Sequence, residues 1–517
     1  MLARLRKAPL QQPAARSASL PAPVGGWNAR DALANMAPSD AVTLTNWFPS
    51  VTYCQLRNGY TQWSTGITGT VETLMAYNSG TASKLFAAAG TRIYDVTSTG
   101  VASSSVTGLT NGRWQYVNNT TAGGSYIQAV NGADKMRVFD GTSWHADGDG
   151  APYDVTGVNT ATCIGINISH NRVWFIQTGT LKAWYLPTGA IGGAATAFDL
   201  SSFCRRGGYL MAMGTWTMDA GYGMDDMTVF VTSQGEILVY RGSDPASSTT
   251  WGLIGVYWTG SPIGRRCLVK YEGDLLLITQ DGVSPMSLAL QSSRINSRVN
   301  LTDKIQYAVS TAVSSFSSNY GWQLLPFPGE NMLFLNVPFQ EGTNQQQYVM
   351  NTITRAWCNF TGWNASCWEL FNDMPYFGGV GYVGKAWNGL SDNGSAISAD
   401  GLQAFNYFGN RSSNKLFTNM RPVFYTNGTP SISTKINIDF DTSPPTAAAA
   451  FATTAAGTWD AGIWDTSLWG DALGINQTWQ GANNVGRCGA PHVLANCGGF
   501  QLQWMSTDII YRPGGFL

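Results

Sequence analysis

MTVFVTSQGEILVY, residues 227–240, is two apolar runs separated by Ser-Gln-Gly, and the same phrase returns along most of this 517-residue chain. It reads KLFAAAGTRIYDV from Lys84, YIQAVNGADKMRVFDG from Tyr126, NRVWFIQTGTLKAWYL from Asn171 and DLLLITQDGVSPMSLAL from Asp274. It continues as MLFLNVP followed by QYVMNTITRAW from Met332, and as YFGGVGYVGKAWNGLSD from Tyr376. Turn residues such as QG, NGAD, TG and DG accept the positive φ of tight hairpins, so each phrase predicts a β-hairpin. The spacing of the phrases brackets the length of a four-stranded propeller blade. The expected fold is therefore all-β: a β-propeller of six to eight blades with an additional β-sandwich or platform domain.

Composition narrows the function classes. Charged residues make up 12% of the chain, about half the usual share, whereas Gly (59), Trp (20), Tyr (21) and Phe (22) are plentiful. So few charges point either to a surface covered by other subunits or to a polar coat of Ser, Thr, Asn and Gln. Thirty basic and 31 acidic residues give a net charge of −1, which argues against a tight, phosphate-gripping DNA binder. Cysteines 54, 163, 204, 267, 358, 367, 488 and 497 form no CxxC and no metal spacing with the three histidines. They read mostly as reduced core cysteines, with Cys488 and Cys497 able to close a small loop. No 18-residue apolar run is present, so no membrane span is expected.

Three regions are expected. Residues 1–45 form an N-terminal arm and lead-in segment, 46–410 the propeller, and 411–517 a C-terminal β platform. The arm carries Arg4, Arg6, Lys7, Arg16 and Arg30 with no acid before Asp31, punctuated by Pro9, Pro13, Pro21 and Pro23. An organelle transit peptide has this composition. The proline spacing fits better an extended arm docking on a neighbouring subunit or on nucleic acid. ARDALANM, residues 29–36, is long enough for one or two helical turns before Pro38. Longer insertions are expected near 187–224 and 290–328, the second holding a helix from Ile305 to Val313. By their length these are candidates for a gate. SPPTAAAAFATTAAG, residues 443–457, reads as a low-complexity loop, and the Trp-Asp phrases at Trp459, Trp464 and Trp469 read as aromatic turns over a sheet edge.

Common catalytic constellations are missing from the sequence. There is no G-x-S-x-G, H-E-x-x-H, P-loop or dinucleotide fingerprint, and His145, His170 and His492 are scattered. Asp95, Asp140, Asp244 and Asp281 are conceivable glycosidase carboxylates, but turn aspartates more often cap their own backbone. Trp144, Trp184, Trp357 and Trp387 sit near strand ends and read as core rather than sugar platforms. The chain is expected to be no enzyme and to hold no cofactor or metal. The basic doublets Arg205-Arg206 and Arg265-Arg266 are either solvated loop charges or, in a ring of identical subunits, channel-lining contacts to phosphate.

Several phrases resemble the tail hub or nozzle (tail tubular) proteins of short-tailed, podovirus-like bacteriophages. NWFPS from Asn46, with Leu56-Arg57-Asn58-Gly59-Tyr60 after it, resembles that family's lead-in to the first blade. Asn131, Gly132, Val138, Phe139, Asp140, Gly141 and Trp144 match its "vNG…v…yDG…W" pattern. NRVWFIQTGTLKAWYLP resembles a further hairpin of that family, with Pro187 where serine is often seen, and STDIIYRPGG resembles its close. The resemblance implies a virion protein, a homohexameric ring below the portal and adaptor rings at the head-to-tail interface, assembled in the host cytoplasm. Such a ring extends and closes the DNA channel until DNA ejection, touches genomic DNA transiently, and anchors fibres, spikes or a needle. The alternative expectation is an extracellular propeller lectin or glycan-processing enzyme.

Overall fold

The computed structural model describes residues 14–219, 224–288, 300–446, 448–449 and 473–514. The chain divides into two compact units, one of residues 58–355 and 359–393, the other of 1–57, 356–358 and 394–517.

The first unit is a β-propeller. Among its described residues each hairpin phrase supplies the second and third strands of one antiparallel blade. Blade one comprises Val71–Asn78, Ser83–Ala89, Arg92–Asp95 and Ser103–Val106. Blade two comprises Gln115–Thr121, Gly124–Val130, Arg137–Phe139 and Trp144–Ala146. Blade three comprises Cys163–Ser169, Arg172–Gln177, Lys182–Tyr185 and Thr196–Asp199. Blade four comprises Leu210–Asp219, Met224–Thr232, Glu236–Gly242 and Trp251–Trp258. Blade five holds Leu268–Tyr271, Asp274–Thr279 and Gly282–Pro285, and blade six holds Gln323–Phe327, Met332–Gln340 and Asn344–Asn351. Blade seven joins Cys367–Phe371, Met374–Gly378 and Val383–Ala386 to Tyr60–Thr65, with Ala386 opposite Tyr60 and Val383 opposite Ser64. The first strand of every blade packs against that of the next, and the seventh returns to the first, so the ring is closed. The strand after the Arg-Asn-Gly-Tyr phrase thus supplies the last strand of the last blade.

Local chemistry explains the hairpins. In blade four the Gly235 amide bonds the Thr232 carbonyl at 3.0 Å. Gly235 has φ +76°, and a Cβ there would lie 2.4 Å from the Thr259 carbonyl oxygen. In blade two, Asn131 Oδ1 accepts the amides of Ala133 and Asp134, which fixes the NGAD turn. The core lies between blades: Met75, Phe86, Trp114, Ile127 and Phe139 pack blade one on blade two, and Trp174, Phe230, Tyr240 and Trp251 pack three on four. Trp144 and Trp184 are partly buried against such clusters, and Trp357 and Trp387 are buried.

The second unit is a β-sandwich. One sheet joins Arg16–Pro21, Trp47–Pro49, Cys54–Leu56, Leu502–Pro513, Lys415–Thr426, Gly474–Gln477 and Gln480–Gly486. The other orders Gly26–Trp27, Asp40–Thr45, Ile397–Gln403, Gly489–Cys497, Ser431–Ile438 and Ala448–Ala449. Phe417, Met420 and Ile509 of the first pack on Ile436 of the second, and Trp47 meets Trp504 edge-on at 5.9 Å. Asn46 takes φ +59° between two strands. Its side-chain oxygen accepts Arg57 Nε at 2.9 Å, and its amide donates to the Ser398 carbonyl at 2.7 Å.

Several expectations change. The units divide at 57/58 and 393/394 instead of 45/46 and 410/411, because 16–56 pair with strands from the end of the chain. Arg16–Pro21 is extended, yet it pairs with Ser506–Tyr511 of its own chain rather than serving as a free arm. Residues 29–36 form turns, not a helix: Asn28 Oδ1 accepts the amides of Arg30 and Asp31, a local competitor of helix bonding. The 187–224 insertion contains blade strands Thr196–Asp199 and Leu210–Asp219. In 290–328 the helix Gln306–Phe316 is present, with Val309, Ala312 and Val313 buried, but Gln323–Phe327 is a blade strand. Cys488 and Cys497 bracket an extended nine-residue strand, roughly 25–30 Å long at strand rise, and do not close a loop. The 1–13 part of the arm, 447 and 450–457 of the low-complexity stretch and the Trp459, Trp464 and Trp469 phrases lie outside the described residues.

Candidate functional site

Seven first strands face the propeller axis, and a cavity of about 370 Å³ lies among them. Side chains rather than a backbone ladder bridge these strands. Ala76 donates its amide to the Tyr116 hydroxyl at 3.1 Å, and Asn118 Nδ2 donates to the Ala76 carbonyl at 2.8 Å, joining blades one and two. Asn167 Nδ2 joins three to four through the Met213 carbonyl at 2.7 Å. Gln323 joins six to seven, donating to the Trp368 carbonyl at 2.8 Å and accepting the Trp368 amide at 3.1 Å.

Arg266, just before the first strand of blade five, reaches furthest. Its Nη2 donates to Thr73 Oγ1 at 2.6 Å, the Glu72 carbonyl at 3.0 Å and the Trp114 carbonyl at 3.2 Å, while Nη1 reaches Gln323 Oε1 at 3.4 Å. One planar guanidinium therefore ties blades one, two, five and six together, a task that suits its fixed fork of donors. Its face lies 5.2 Å from the Tyr320 ring, and Arg113 covers the same ring at 4.5 Å. Arg113 in turn donates to Glu72 at 2.8 Å and Glu341 at 3.1 Å.

Glu369, on the first strand of blade seven, is the one carboxylate lining the axial cavity among the described residues. Burial pushes its pKa up to about 7, against the opposing pull of the Tyr116 hydrogen bond and the Arg266 charge. Burial, and then the Glu369 charge, hold the Tyr116 phenol well above its ordinary value.

Of the arginines singled out by sequence, Arg265 and Arg266 both line this cavity, inside a single propeller. Arg205 and Arg206 do not. They sit on an exposed loop whose amides donate to the buried Glu236 carboxylate at 2.9 and 3.0 Å, and Arg206 lies 5.6 Å from the Trp258 ring. Asp95, Asp140 and Asp244 accept backbone amides two residues on, as turn caps do. Asp281 stands in the blade-five hairpin, so the four carboxylates belong to four different blades. His145 bonds Asp140 at 3.1 Å and stacks on Tyr153, and the buried His492 bonds Asp400 at 2.7 Å on a neighbouring sandwich strand. Sequence reasoning missed Glu369, Tyr116, Tyr320 and Arg113. A lone acid inside the apolar run CWELF is the signal that singles out Glu369.

No family model and no curated protein matches the chain. Among solved structures it is similar to BBS1N in complex with ARL6DN, soaked with mercury. That match has a TM-score of 0.38 and 8% identity, and covers 64% of this chain and 97% of that one. It is also similar to YCF48 bound to D1 peptide, with a TM-score of 0.33 and 10% identity, covering 65% and 95%. At these scores neither likeness carries an argument about activity or partners.

Proposed function

We propose that the chain is a structural tail subunit of a short-tailed bacteriophage, a hub or nozzle protein working in a ring of six below the portal and adaptor. The observation that supports this most is the ordered set of phrases from Asn46 through Trp144 to the closing STDIIYRPGG. Their residues hold framework positions here: Asn46 and Arg57 bond each other, and Asn131 caps its turn. The low charge of the chain fits a protein covered by neighbours. So does an outward sandwich face on which Leu416 opposes Val485 and Tyr425 opposes Ile475, with Trp479 nearby, all but Tyr425 exposed.

Arg266 crosses the propeller axis. On this reading DNA passes between subunits, through the middle of the ring, and not through the propeller itself. The propeller is a rigid wall element, and the sandwich supplies contact surface for fibres, spikes or a needle. Light scattering of the purified protein, with negative-stain imaging of particles, tests the proposal. A mass six times 55.6 kDa, or ring density below the portal, is the expected result. A stable monomer that stays off particles overturns it.

A further inference from the structure

Beside the axial cavity, and sharing Arg265 and Arg266 with it, lies a second cavity of about 170 Å³. Three arginines line it, Arg113, Arg265 and Arg266, together with Ser317, Ser318 and Tyr320, and no acidic residue does among the described residues. In a chain with 30 basic and 31 acidic residues, such a one-sided lining marks a built electrostatic feature. The charges are unevenly answered. Arg113 is held by Glu72 and Glu341, and Arg266 is committed mainly to neutral oxygens of blades one, two and six. Arg265 spends one guanidinium hydrogen on the Asn131 carbonyl at 3.1 Å and forms no ion pair among the described residues. Burial, and then the charge of Arg113, lower its pKa, so its surroundings within the chain disfavour the arginine's positive charge.

We propose that this cavity is a binding site for a small tetrahedral oxyanion, a phosphate group, gripped by Arg265 and the hydroxyls of Ser317 and Ser318. Guanidinium forks match phosphate oxygens bidentately, and the hydroxyls add donors from another side. The carbonyl of Phe316, at the nearby helix end, is occupied by Trp322 Nε1 at 3.0 Å and by the Asn319 amide, which tempers its repulsion of an anion. Tyr320 forms the floor, its ring covered by Arg113 and Arg266 and its hydroxyl bonded to the Glu72 carbonyl at 2.9 Å. Arg266 supplies background charge, Arg113 is neutralised by Glu72 and Glu341, and Arg265 is the adjustable contact. The site needs no ring of subunits and stands independently of the function proposed above.

The test is calorimetric titration of the full chain with inorganic phosphate at constant ionic strength, with chloride and acetate as reference anions and a mixed-sequence DNA duplex as competitor. Phosphate is expected to bind at least tenfold more tightly than chloride or acetate. Arg265→Met is expected to weaken it at least tenfold, and Arg265→Lys to recover part of the loss. Ser318→Ala, a mild second variant, is expected to weaken binding two- to fivefold without altering the circular dichroism spectrum. Phosphate no better than chloride, equal binding of acetate, or full binding by Arg265→Met overturns the proposal. Displacement of phosphate by duplex at lower concentration also overturns it, in favour of a nucleic-acid backbone contact.

Discussion

Replacing Glu369 with Gln removes the one carboxylate on the axial cavity wall among the described residues while keeping its size and a polar side chain. A carboxyl whose pKa rises from 4.5 to about 7 on folding keeps its proton in the folded chain where the unfolded chain has released it. Between those values the native state binds more protons than the unfolded state, so stability falls as pH rises, and the full loss is in place above pH 7. At 1.36 kcal/mol per pH unit the difference corresponds to about 3.4 kcal/mol. Because Glu369 faces a cavity large enough for water, screening reduces this to about 1–2 kcal/mol. Glu369→Gln is therefore expected to be more stable than the parent by about that amount at pH 8, with the gap closing towards pH 4.5. Differential scanning calorimetry at pH 5, 6.5 and 8 reads this directly as a Tm difference of about 1–4 °C at the highest pH. A variant less stable than the parent at pH 8 would refute the reasoning. It would mean that ionised Glu369 gains more from Arg266 than it loses by burial.

Trp174, buried between blades three and four against Phe230 and Trp251, is expected to lose about 3–5 kcal/mol on change to Ala, read by urea denaturation. Arg57→Ala leaves the Asn46 side-chain oxygen without its Arg57 donor in the sandwich and is expected to lower stability by about 2–3 kcal/mol in the same assay. Gly235→Val, forced to φ +76° with its Cβ against the Thr259 carbonyl, is expected to lower Tm by several degrees, whereas Gly409→Ala, whose Cβ meets nothing, should lower it less. Native alkylation at pH 8 followed by mass spectrometry is expected to label Cys204 first. That thiol is half-buried and raised to about 11, whereas the buried Cys163, Cys267, Cys367 and Cys497 are raised to about 12.

The hairpins were legible because their information is local. A Gly, Asn or Asp turn between two alternating runs needs no distant partner, and all seven phrases fall on blade strands two and three. The innermost strands were not legible as strands. Leu268–Tyr271 and Gln323–Phe327 are short, and Gln323–Phe327 contains Pro326; they take their place from side-chain bridges such as Gln323 to Trp368. Hence the stretch around 323–327 reads as part of an insertion, whereas Leu210–Asp219, ten residues long, is passed over for want of a hairpin turn before it. The sandwich boundary failed for another reason: Arg16–Pro21 meets Ser506–Tyr511 across almost the whole sequence, and periodicity carries no signal at that separation. At the candidate site, the doublet Arg265-Arg266 was visible as charge, but its setting required seven strands to converge. Glu369 was visible only as an acid out of pattern.

The sandwich has a consequence for how the chain is made. Its strands from 16–56 come off the ribosome first, and their partners at 394–513 come last. At about 5–20 residues per second the early strands wait roughly 20–90 s for those partners. The propeller strand Tyr60–Thr65 waits similarly for Val383–Ala386. Throughout that interval unpaired strand edges are open to capture by another nascent chain. Shielding by a holdase during synthesis, or a slow rate of initiation, is therefore expected to raise the yield of this protein more than any single stabilising substitution in its finished fold.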